Sequence, residues 1–419
     1  MAPPALVLPG DDDPVRVAVR GWLEDHPSPS ARDLAEGGLV APHWPRPWGR
    51  AADAVTQLVV DEELRRAGVT RPFNPIGLGW AGPTLLFAGT EEQKERWLWP
   101  LLAGDEIWCQ LFSEPDAGSD LASLRTSAER DGDEWIVHGQ KVWTTLAHVA
   151  HYGILLARTD PHLPRHRGIS YFVCPMDAPG VTVRPLVDMT GAHAFNEVFL
   201  DGVHLPADHL VGEEGQGWAL ARVTLGNERV SLAGEGTLWG SGPTTGDLVR
   251  LAAATSRGAG GFPATARDRM ARAWAGGEVL RALRLRSVSA SLEGKDPGPA
   301  SSVRKALADD HGQEVMDLAR DLSGAHGMLS PRGRTDRGPL GAEVPDHPPW
   351  AGDEWATGFL YSRALTIGGG TAEIQRNIVA ERLLGLPKDV SGAAADADAG
   401  TGDPGDRDGE DQGTRRPRR

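Results

Sequence analysis

The sequence predicts an α+β protein of several domains, because its hydrophobic period changes twice along 419 residues. Helical periodicity covers 14–107, a period of two covers 108–212, and helical periodicity returns over 213–388. We therefore expect an N-terminal helical domain, a middle β-barrel-like domain and a C-terminal four-helix bundle. Residues 1–13 are expected to form a flexible N-terminus. Residues 389–419 hold mainly Ala, Asp, Gly and Arg, which predicts a disordered tail.

The N-terminal segment carries clear helix signals. Residues 55–67 place apolar side chains on one face of a predicted helix and acidic side chains on the other. Thr90 followed three residues later by Gln93 is a capping-box pattern, and it leads into the apolar residues 97–102. Between these helices, the proline-rich stretch 42–49 predicts a rigid loop.

The middle segment has short apolar runs separated by Gly, Asp and Pro, which is typical of strands. The predicted strands are Trp135–Val137, Tyr152–Ala157, Ile169–Val173, Val181–Val183 and Glu197–Val203. The C-terminal segment has longer runs at the helical period, which predict helices over 217–235, 267–292, 300–322 and 371–384. The Gly/Pro-rich piece 331–352 is expected to be a surface excursion.

Composition excludes several classes of function. Two cysteines, Cys109 and Cys174, cannot build a disulfide framework and suit a reducing compartment. A formal charge of −15 disfavours nucleic acid and anionic membranes as partners. No run reaches the roughly 20 apolar residues of a membrane span, and the first residues lack a secretion signal. We therefore expect a cytoplasmic protein without membrane insertion.

Residues 111–120 form the most informative segment, Leu-Phe-Ser-Glu-Pro-Asp-Ala-Gly-Ser-Asp. The hydroxyls of Ser113 and Ser119, together with Gly118, give a loop with free donors that suits a phosphate-rich or flavin-like ligand. On chemistry alone, such a serine-rich stretch is more often a plain turn.

Two further segments have the same ambiguity. Gly139–Thr145 follows a predicted hairpin and sets the aromatic ring of Trp143 beside two hydroxyls, although a tryptophan in a β-domain is usually core. Gly368–Gly370 precedes the cap residue Thr371, so its backbone N–H groups could bind an anion or a polarised carbonyl. The alternative for this segment is a simple glycine linker before a capped helix.

Together, the three segments closely resemble the flavin and substrate signatures of the acyl-CoA dehydrogenase family. The order Ser-Glu-Pro-x-Ala-Gly-Ser-Asp, Lys-x-Trp-x-Thr and Gly-Thr-x-Glu-Ile-x-Arg matches the family in spacing, and the likeness spans about 14–388. The resemblance implies the acyl-CoA dehydrogenase fold and FAD as cofactor. It also implies the FAD contacts Leu111, Ser113, Gly118, Ser119, Trp143, Thr144, Thr145, Thr371 and Glu373.

The catalytic base is the main departure from this pattern. Many members carry a glutamate where this chain has Gly369, and glycine cannot abstract a proton. In the isovaleryl and long-chain branches the base lies instead in a Glu-Arg pair on a bundle helix, which corresponds to Glu228-Arg229. Leu225 and Leu232 share the helix face of Glu228, and such surroundings raise a carboxyl pKa toward the value of a general base.

The implied reaction is oxidation of an acyl-CoA to a trans-2-enoyl-CoA. The resemblance assigns Glu228 as the base, the Gly369 N–H as a donor to the thioester carbonyl, and Ser119, Arg229 and Gly370 as substrate contacts. Hydride passes to the flavin N5, and electron-transfer flavoprotein is the expected acceptor. No metal ion is expected, because His193 and His326 have no ligand neighbours at suitable spacing.

Two sequence elements that bear on subunit assembly in this family are altered or absent in this chain. Residues 321–327 read Asp-Leu-Ser-Gly-Ala-His-Gly where many members have Gln-x-x-Gly-Gly-x-Gly, and the Arg-x-x-Phe-Gly element is absent between 240 and 275. Both normally serve the adenine end of FAD across subunits. A homodimer, a homotetramer, and a heteromer with a second acyl-CoA dehydrogenase-like subunit all remain open. So do two alternatives in function: a non-catalytic partner subunit, and an acyl-CoA or nitroalkane oxidase.

Overall fold

The computed structural model describes residues 8–231, 236–240, 242–256, 263–292, 298–328 and 355–388. Within these, the side chains of 227–231 are outside the description, as are those of 256, 288–292, 326 and 328. The predicted tail, the predicted surface excursion 331–352 and Leu232 all lie outside the described residues.

The N-terminal domain consists of five helices: α1 Pro14–Asp25, α2 Ala31–Glu36, α3 Ala54–Arg66, α4 Gly82–Ala88 and α5 Glu91–Ala103. The predicted capping box is confirmed, since the Thr90 hydroxyl accepts from the Gln93 amide and the Gln93 side chain accepts from the Thr90 amide. Local hydrogen bonds therefore begin α5 where the sequence predicts it.

The middle domain is a curled seven-stranded sheet with the path β1-β4-β2-β3-β7-β6, and β5 pairs with β4. Its strands are β1 Trp108–Leu111, β2 Ser127–Asp131, β3 Glu134–Thr145, β4 Tyr152–Arg158, β5 Ile169–Pro175, β6 Val181–Leu186 and β7 Phe195–Pro206. Each predicted strand lies within one of these. β3 extends to Thr145, so the Lys-x-Trp segment ends a strand instead of following a hairpin.

Strands β4 and β5 are apolar on both faces because each face covers a separate core. In β5, Tyr171 and Val173 belong to a core shared with the N-terminal helices, whereas Phe172 and Cys174 belong to a core on the opposite face. All four residues are fully buried. This two-sided burial explains why the middle segment reads as short continuous apolar runs.

The C-terminal domain is helical, with α6 Gly217–Ser231, α7 Thr245–Ser256, α8 Ala264–Leu292, α9 Ala300–Leu322, α10 Trp355–Tyr361 and α11 Ala372–Ile378. Helix α9 is central and contacts the other five. Sequence analysis did not predict α7, although Leu248 and Ala252 recur there at the helical period and are buried. Among the described residues, no helix is both long enough and apolar enough to cross a membrane.

Buried polar groups join the three domains. The Gln93 amide donates to the carbonyls of Asp208 at 2.7 Å and Leu210 at 2.8 Å, which fixes α5 to the end of the sheet. The Thr224 hydroxyl on α6 lies 2.9 Å from the Thr84 hydroxyl and 3.1 Å from the Tyr171 hydroxyl. The position of α6 is thereby tied to both other domains.

Candidate active site

The Ser-Glu-Pro loop leaves the sheet directly after β1. Leu111 is fully buried and Ser113 half-buried, while Gly118 and Ser119 are exposed beyond a tight turn. That turn is closed by reciprocal hydrogen bonds between the backbones of Glu114 and Ala117, at 3.0 and 3.1 Å. A Cβ added to Gly118 would meet no atom within 4 Å. Packing within the described chain therefore does not require glycine at 118, which leaves open space beside the exposed hydroxyls.

A buried ion pair that sequence analysis missed holds this loop to β3. The Lys141 ammonium, fully buried, donates to the Glu114 carboxylate at 2.9 Å and to the Phe112 carbonyl at 3.0 Å. Burial lowers the pKa of Lys141 to about 8, against the opposing attraction of Glu114. The Val142 amide adds a bond to the Ser113 carbonyl at 2.9 Å. The first two motifs are thus one rigid unit.

The carboxylate of Glu114 is also satisfied by the backbone. It accepts from the amides of Arg125 at 2.7 Å and Thr126 at 2.9 Å. Burial raises the pKa of Glu114, but the Lys141 charge and these hydrogen bonds outweigh it, so the pKa lies below the usual value. Glutamate in the Ser-Glu-Pro motif is therefore a structural anchor, a role that the motif alone does not reveal.

Trp143 and Thr144 have unusual environments at the end of β3. An irregularity in the β3–β7 register falls between Lys141 and Thr144, and Trp143 has a φ of +60°. This conformation leaves the indole of Trp143 62% exposed, with its edge toward Phe195. Thr144 is only 1% exposed, yet its hydroxyl has no hydrogen-bond partner among the described residues. A bulged strand therefore presents a flat aromatic surface and an unsatisfied hydroxyl together.

These features fit a flavin. An orphaned buried hydroxyl needs a partner from outside the chain, and an exposed indole offers a stacking surface for a planar ring. The half-buried Thr145 and the hydroxyls of Ser113 and Ser119 add further donors at the same end of the sheet. The Asn196 amide fixes this end by donating to the Thr144 carbonyl at 3.0 Å.

The glycine-rich loop is the third predicted segment, and two of its glycines need their conformational freedom. Gly369 and Gly370 have φ values of +66° and +83°. Thr371 then caps α11, its hydroxyl accepting from the Ile374 amide at 3.3 Å. Glu373 is exposed in the first turn, where bonding to its own backbone amide lowers its pKa. Among the described residues, none accepts a hydrogen bond from the Gly369 N–H.

Aromatic residues bring this loop toward the β-domain. Phe195, the neighbour of Trp143, packs against a buried cluster that contains Leu365. Trp239 belongs to the same cluster, and its ring closely approaches Gly368 on the loop. The contacts therefore run without interruption from the Trp143 indole to the glycine-rich loop.

The side chains of Glu228 and Arg229 lie outside the described residues, but their backbone belongs to α6. Thr224, one turn earlier, is buried and bonded to both other domains. Leu225 packs against the large core shared by the N-terminal helices and the sheet. The helix segment that leads to Glu228 is consequently held at the junction of all three domains.

Two helix side chains missed by sequence analysis bind the carbonyls of the glycine-rich loop. They are Lys305 on α9 and Gln375 on α11, at 5% and 0% exposure. The sequence signal for Lys305 is a Lys–Asp pair four residues apart on α9, a spacing that places both side chains on one helix face. Among the described residues, no group of three or more His, Cys, Asp or Glu could hold a metal ion.

Three family profiles match the chain in succession. They are "Acyl-CoA dehydrogenase, N-terminal domain" over residues 14–105, "Acyl-CoA dehydrogenase, middle domain" over 109–203, and "Acyl-CoA dehydrogenase, C-terminal domain" over 215–384. Together they include all three segments that the sequence singles out.

Two Mycobacterium tuberculosis proteins are similar in sequence. Acyl-CoA dehydrogenase IpdE1 is 38% identical across 91% of this chain and 100% of its own length. Acyl-CoA dehydrogenase FadE34 is 43% identical across 85% of this chain, and the chain spans only 46% of that relative.

Among solved structures, the Tcur3481-Tcur3483 steroid ACAD has a TM-score of 0.70 and 31% identity, covering 86% of this chain and 88% of its own. The ChsE4-ChsE5 complex from Mycobacterium tuberculosis has a TM-score of 0.70 and 29% identity, covering 92% and 100%.

Proposed function

The chain belongs to the acyl-CoA dehydrogenase family of flavoprotein oxidoreductases, and we propose that it oxidises an acyl-CoA thioester to a trans-2-enoyl-CoA with FAD as cofactor. The observation that most directly supports a flavin site is the buried hydroxyl of Thr144, which lies beside the exposed Trp143 indole and has no hydrogen-bond partner in the part of the chain that the structure describes. When bound, FAD would supply the acceptor for the hydride that the substrate β-carbon loses. The residues that we propose to hold it are Leu111, Ser113, Gly118, Ser119, Trp143, Thr144, Thr145, Thr371 and Glu373.

We propose Glu228 as the base that removes the α-proton of the thioester. Its helix is packed into the large core at Leu225, and the proposed role requires a carboxyl pKa suited to proton abstraction near neutral pH. The α-proton leaves as negative charge develops on the thioester carbonyl oxygen, and the Gly369 N–H is the proposed donor to that oxygen. Ser119, Arg229 and Gly370 are the proposed substrate contacts.

The substrate class and the assembly are proposed from the relatives. A steroid ACAD and a two-protein complex are among the structures that this chain resembles, which favours a bulky, sterol-derived acyl-CoA and a heteromer with a second acyl-CoA dehydrogenase-like subunit. A homodimer or homotetramer is the alternative assembly. Electron-transfer flavoprotein is the proposed electron acceptor, and the cytoplasm is the proposed location. The domain limits at 107 and 212 remain predictions.

Anaerobic flavin bleaching tests this function. The purified chain is titrated with straight-chain, branched and sterol-derived acyl-CoAs while the flavin absorbance is recorded. We expect bleaching in the wild type, its loss in Glu228→Gln, and normal bleaching in Glu214→Gln, which changes an exposed glutamate just before α6. Full activity of Glu228→Gln would exclude Glu228 as the base.

Two other results would redirect the proposal. If the chain binds FAD only when co-expressed with a second subunit and Glu228→Gln of that complex stays active, the chain is a non-catalytic partner. If reduced flavin reoxidises in air as fast as it turns over and yields hydrogen peroxide, the protein is an oxidase.

A further inference from the structure

The ammonium group of Lys305 binds three main-chain carbonyls, two in the glycine-rich loop and one in the turn just before it. It donates to Gly368 at 2.8 Å, to Leu365 at 2.9 Å and to Gly370 at 3.1 Å. Lys305 reaches the loop from α9, more than 60 residues earlier in the chain, and its side chain is 4% exposed. Buried lysines in proteins usually pair with carboxylates, so three carbonyl partners in the loop and the turn before it point to a role in shaping that loop.

Asp309 is the fourth partner of this ammonium, at 2.5 Å and 2% side-chain exposure. An ammonium has three N–H donors, so four acceptors exceed its capacity by one. The three carbonyls alone match the donors. The loop and the turn before it thus supply three of the four acceptors around this ammonium, and Asp309 is the nearest of the four.

The bond to the Gly368 carbonyl determines where the Gly369 N–H points. A trans peptide is planar, and its C=O and N–H groups point in opposite directions. Because the Gly368 oxygen faces Lys305, the N–H of Gly369 faces away from Lys305. Gln375 acts in the same way one peptide later, donating to the Gly369 carbonyl at 3.0 Å. Both positive-φ glycines thus have their peptide planes held by buried side chains.

The charge of Lys305 also strengthens the donor. A charge-assisted hydrogen bond to a carbonyl polarises the whole amide, so the attached N–H becomes a better donor. Within the described chain nothing accepts from the Gly369 N–H, which leaves it available. Orientation and polarisation then act on the same N–H group.

We propose that Lys305 is a positioning residue, which aims and polarises the Gly369 N–H so that it stabilises the negative charge on the thioester carbonyl oxygen during α-proton removal. The proposal rests on the function proposed for Gly369. It predicts that Lys305 affects the chemical step more than substrate binding, because the charge on that oxygen develops only as the proton leaves.

Paired variants of Lys305 and Asp309 test the proposal. Lys305→Met removes every donor to the loop, whereas Asp309→Asn removes the counter-charge and keeps the lysine. Both substitutions change a buried pair, so the Tm of each variant is measured as a control for folding. Only Lys305→Met should lower kcat strongly, by at least about tenfold more than Asp309→Asn, with KM for the acyl-CoA changed less than threefold. Equal kcat losses would reduce Lys305 to a merely structural ion-pair partner and overturn the proposal.

A spectroscopic readout separates positioning from instability. Bound acetoacetyl-CoA ionises at its α-carbon, and the ultraviolet absorbance of its enolate gives the pH at which it does so. Lys305→Met should raise that apparent pKa by at least one unit, while Asp309→Asn should leave it within a few tenths. An unchanged pKa in folded Lys305→Met would contradict the proposal.

A crystal structure of Lys305→Met provides a readout that does not depend on activity. We expect the peptide between Gly368 and Gly369 to rotate or to lose a single orientation. If it keeps the wild-type orientation, Lys305 does not position it. If the wild type fails to bleach with any acyl-CoA, the proposed function fails, whereas this structure still decides the positioning role.

Discussion

The Thr144 hydroxyl at the end of β3 is buried, and no described residue forms a hydrogen bond with it. An unpaired buried hydroxyl costs stability, so a partner outside the chain would explain why the residue is not valine. The backbone at Thr144 is held in place, because its carbonyl accepts a hydrogen bond from the Asn196 side-chain amide at 3.0 Å. The proposed flavin contact therefore rests on this hydroxyl.

We predict that Thr144→Val separates stability from cofactor affinity. The variant should match or exceed the wild-type Tm without flavin, because it removes a polar group that makes no bond. It should bind FAD about tenfold more weakly, the equivalent of one lost hydrogen bond. Thr84→Val is the control, since Thr84 bonds to Thr224 at 2.9 Å and should lose stability while keeping FAD affinity. Calorimetry and FAD titration of apoprotein measure both, and unchanged FAD affinity in Thr144→Val would count against the flavin contact.

The raised pKa of Asp309 predicts that the stability of the protein depends on pH. Burial raises the pKa of Asp309 to about 7, although the neighbouring ammonium of Lys305 and the Trp239 side chain oppose the shift; Asp310 reinforces it. Unfolded Asp309 ionises near its ordinary pKa of about 4. Between about pH 4 and pH 7 the folded state therefore keeps a proton that the unfolded state has lost.

The sign of the effect follows from this difference in bound protons. The free energy of unfolding should fall as pH rises from about 4 to 7, by at most about 1.4 kcal/mol per pH unit, and level off above 7. Asp309→Asn should remove this slope while leaving the contributions of other groups. Urea unfolding of both proteins at pH 5, 6, 7 and 8 measures it. Parallel pH profiles for the two proteins would mean that Asp309 is ionised throughout.

At the scale of elements, the Glu114–Lys141 pair joins the loop after β1 to the end of β3. Removing one partner of a buried pair leaves the other charge uncompensated, so we predict that Lys141→Met costs about 3–5 kcal/mol of stability. Lys94→Met is the control: its partner Glu91 has a side chain 75% exposed, and a surface pair is worth about 1 kcal/mol or less. Denaturant unfolding measures the stability of both variants. Similar losses of stability would show that the buried pair contributes no more than the surface pair.

The same pair shows what the sequence could and could not predict. The capping box of α5 and the strands of the sheet depend on residues within a few positions of each other, so local patterns predict them. Glu114 and Lys141 are 27 residues apart, and Lys305 meets Gly368 across 63 residues. No spacing rule connects such residues, because only the folded sheet and bundle bring them together. The resemblance to the family indicated the motifs, but Lys141 and Lys305, which hold those motifs in place, could be identified only from the structure.

Helix α7 and the bulge in β3 illustrate two other limits. The glycine- and threonine-rich residues before Thr245 obscure the start of α7, even though its buried face has a helical period. The bulge depends on how β3 pairs with β7 and has no signature in the sequence of β3 alone. The bulge nevertheless shapes the candidate active site, because it exposes Trp143 and buries Thr144.

At the scale of the whole molecule, three hydroxyls determine how α6 sits between the other domains. Thr84 comes from α4, Tyr171 from β5 and Thr224 from α6, and all three are fully buried. Thr224 also bonds to the Leu220 carbonyl one turn earlier at 3.1 Å, so its side chain is held from two directions. Glu228 follows one turn later on the same helix. Small changes at this junction should therefore reach the proposed base without touching the flavin contacts.

We predict that Tyr171→Phe lowers kcat several-fold while FAD affinity stays the same. The variant keeps the ring that fills the core and removes one hydrogen bond to Thr224, which should cost about 1 kcal/mol of stability. A proton transfer tolerates little misplacement of its base, so a slight shift of α6 should slow the step that Glu228 is proposed to carry out. Tyr152→Phe is the matched control, because it loses a hydroxyl bond to Arg96 at 2.6 Å that does not involve α6. Stopped-flow flavin reduction measures the chemical step directly: equal rates in both variants would show that the hydroxyl junction holds the domains together without setting the position of the base.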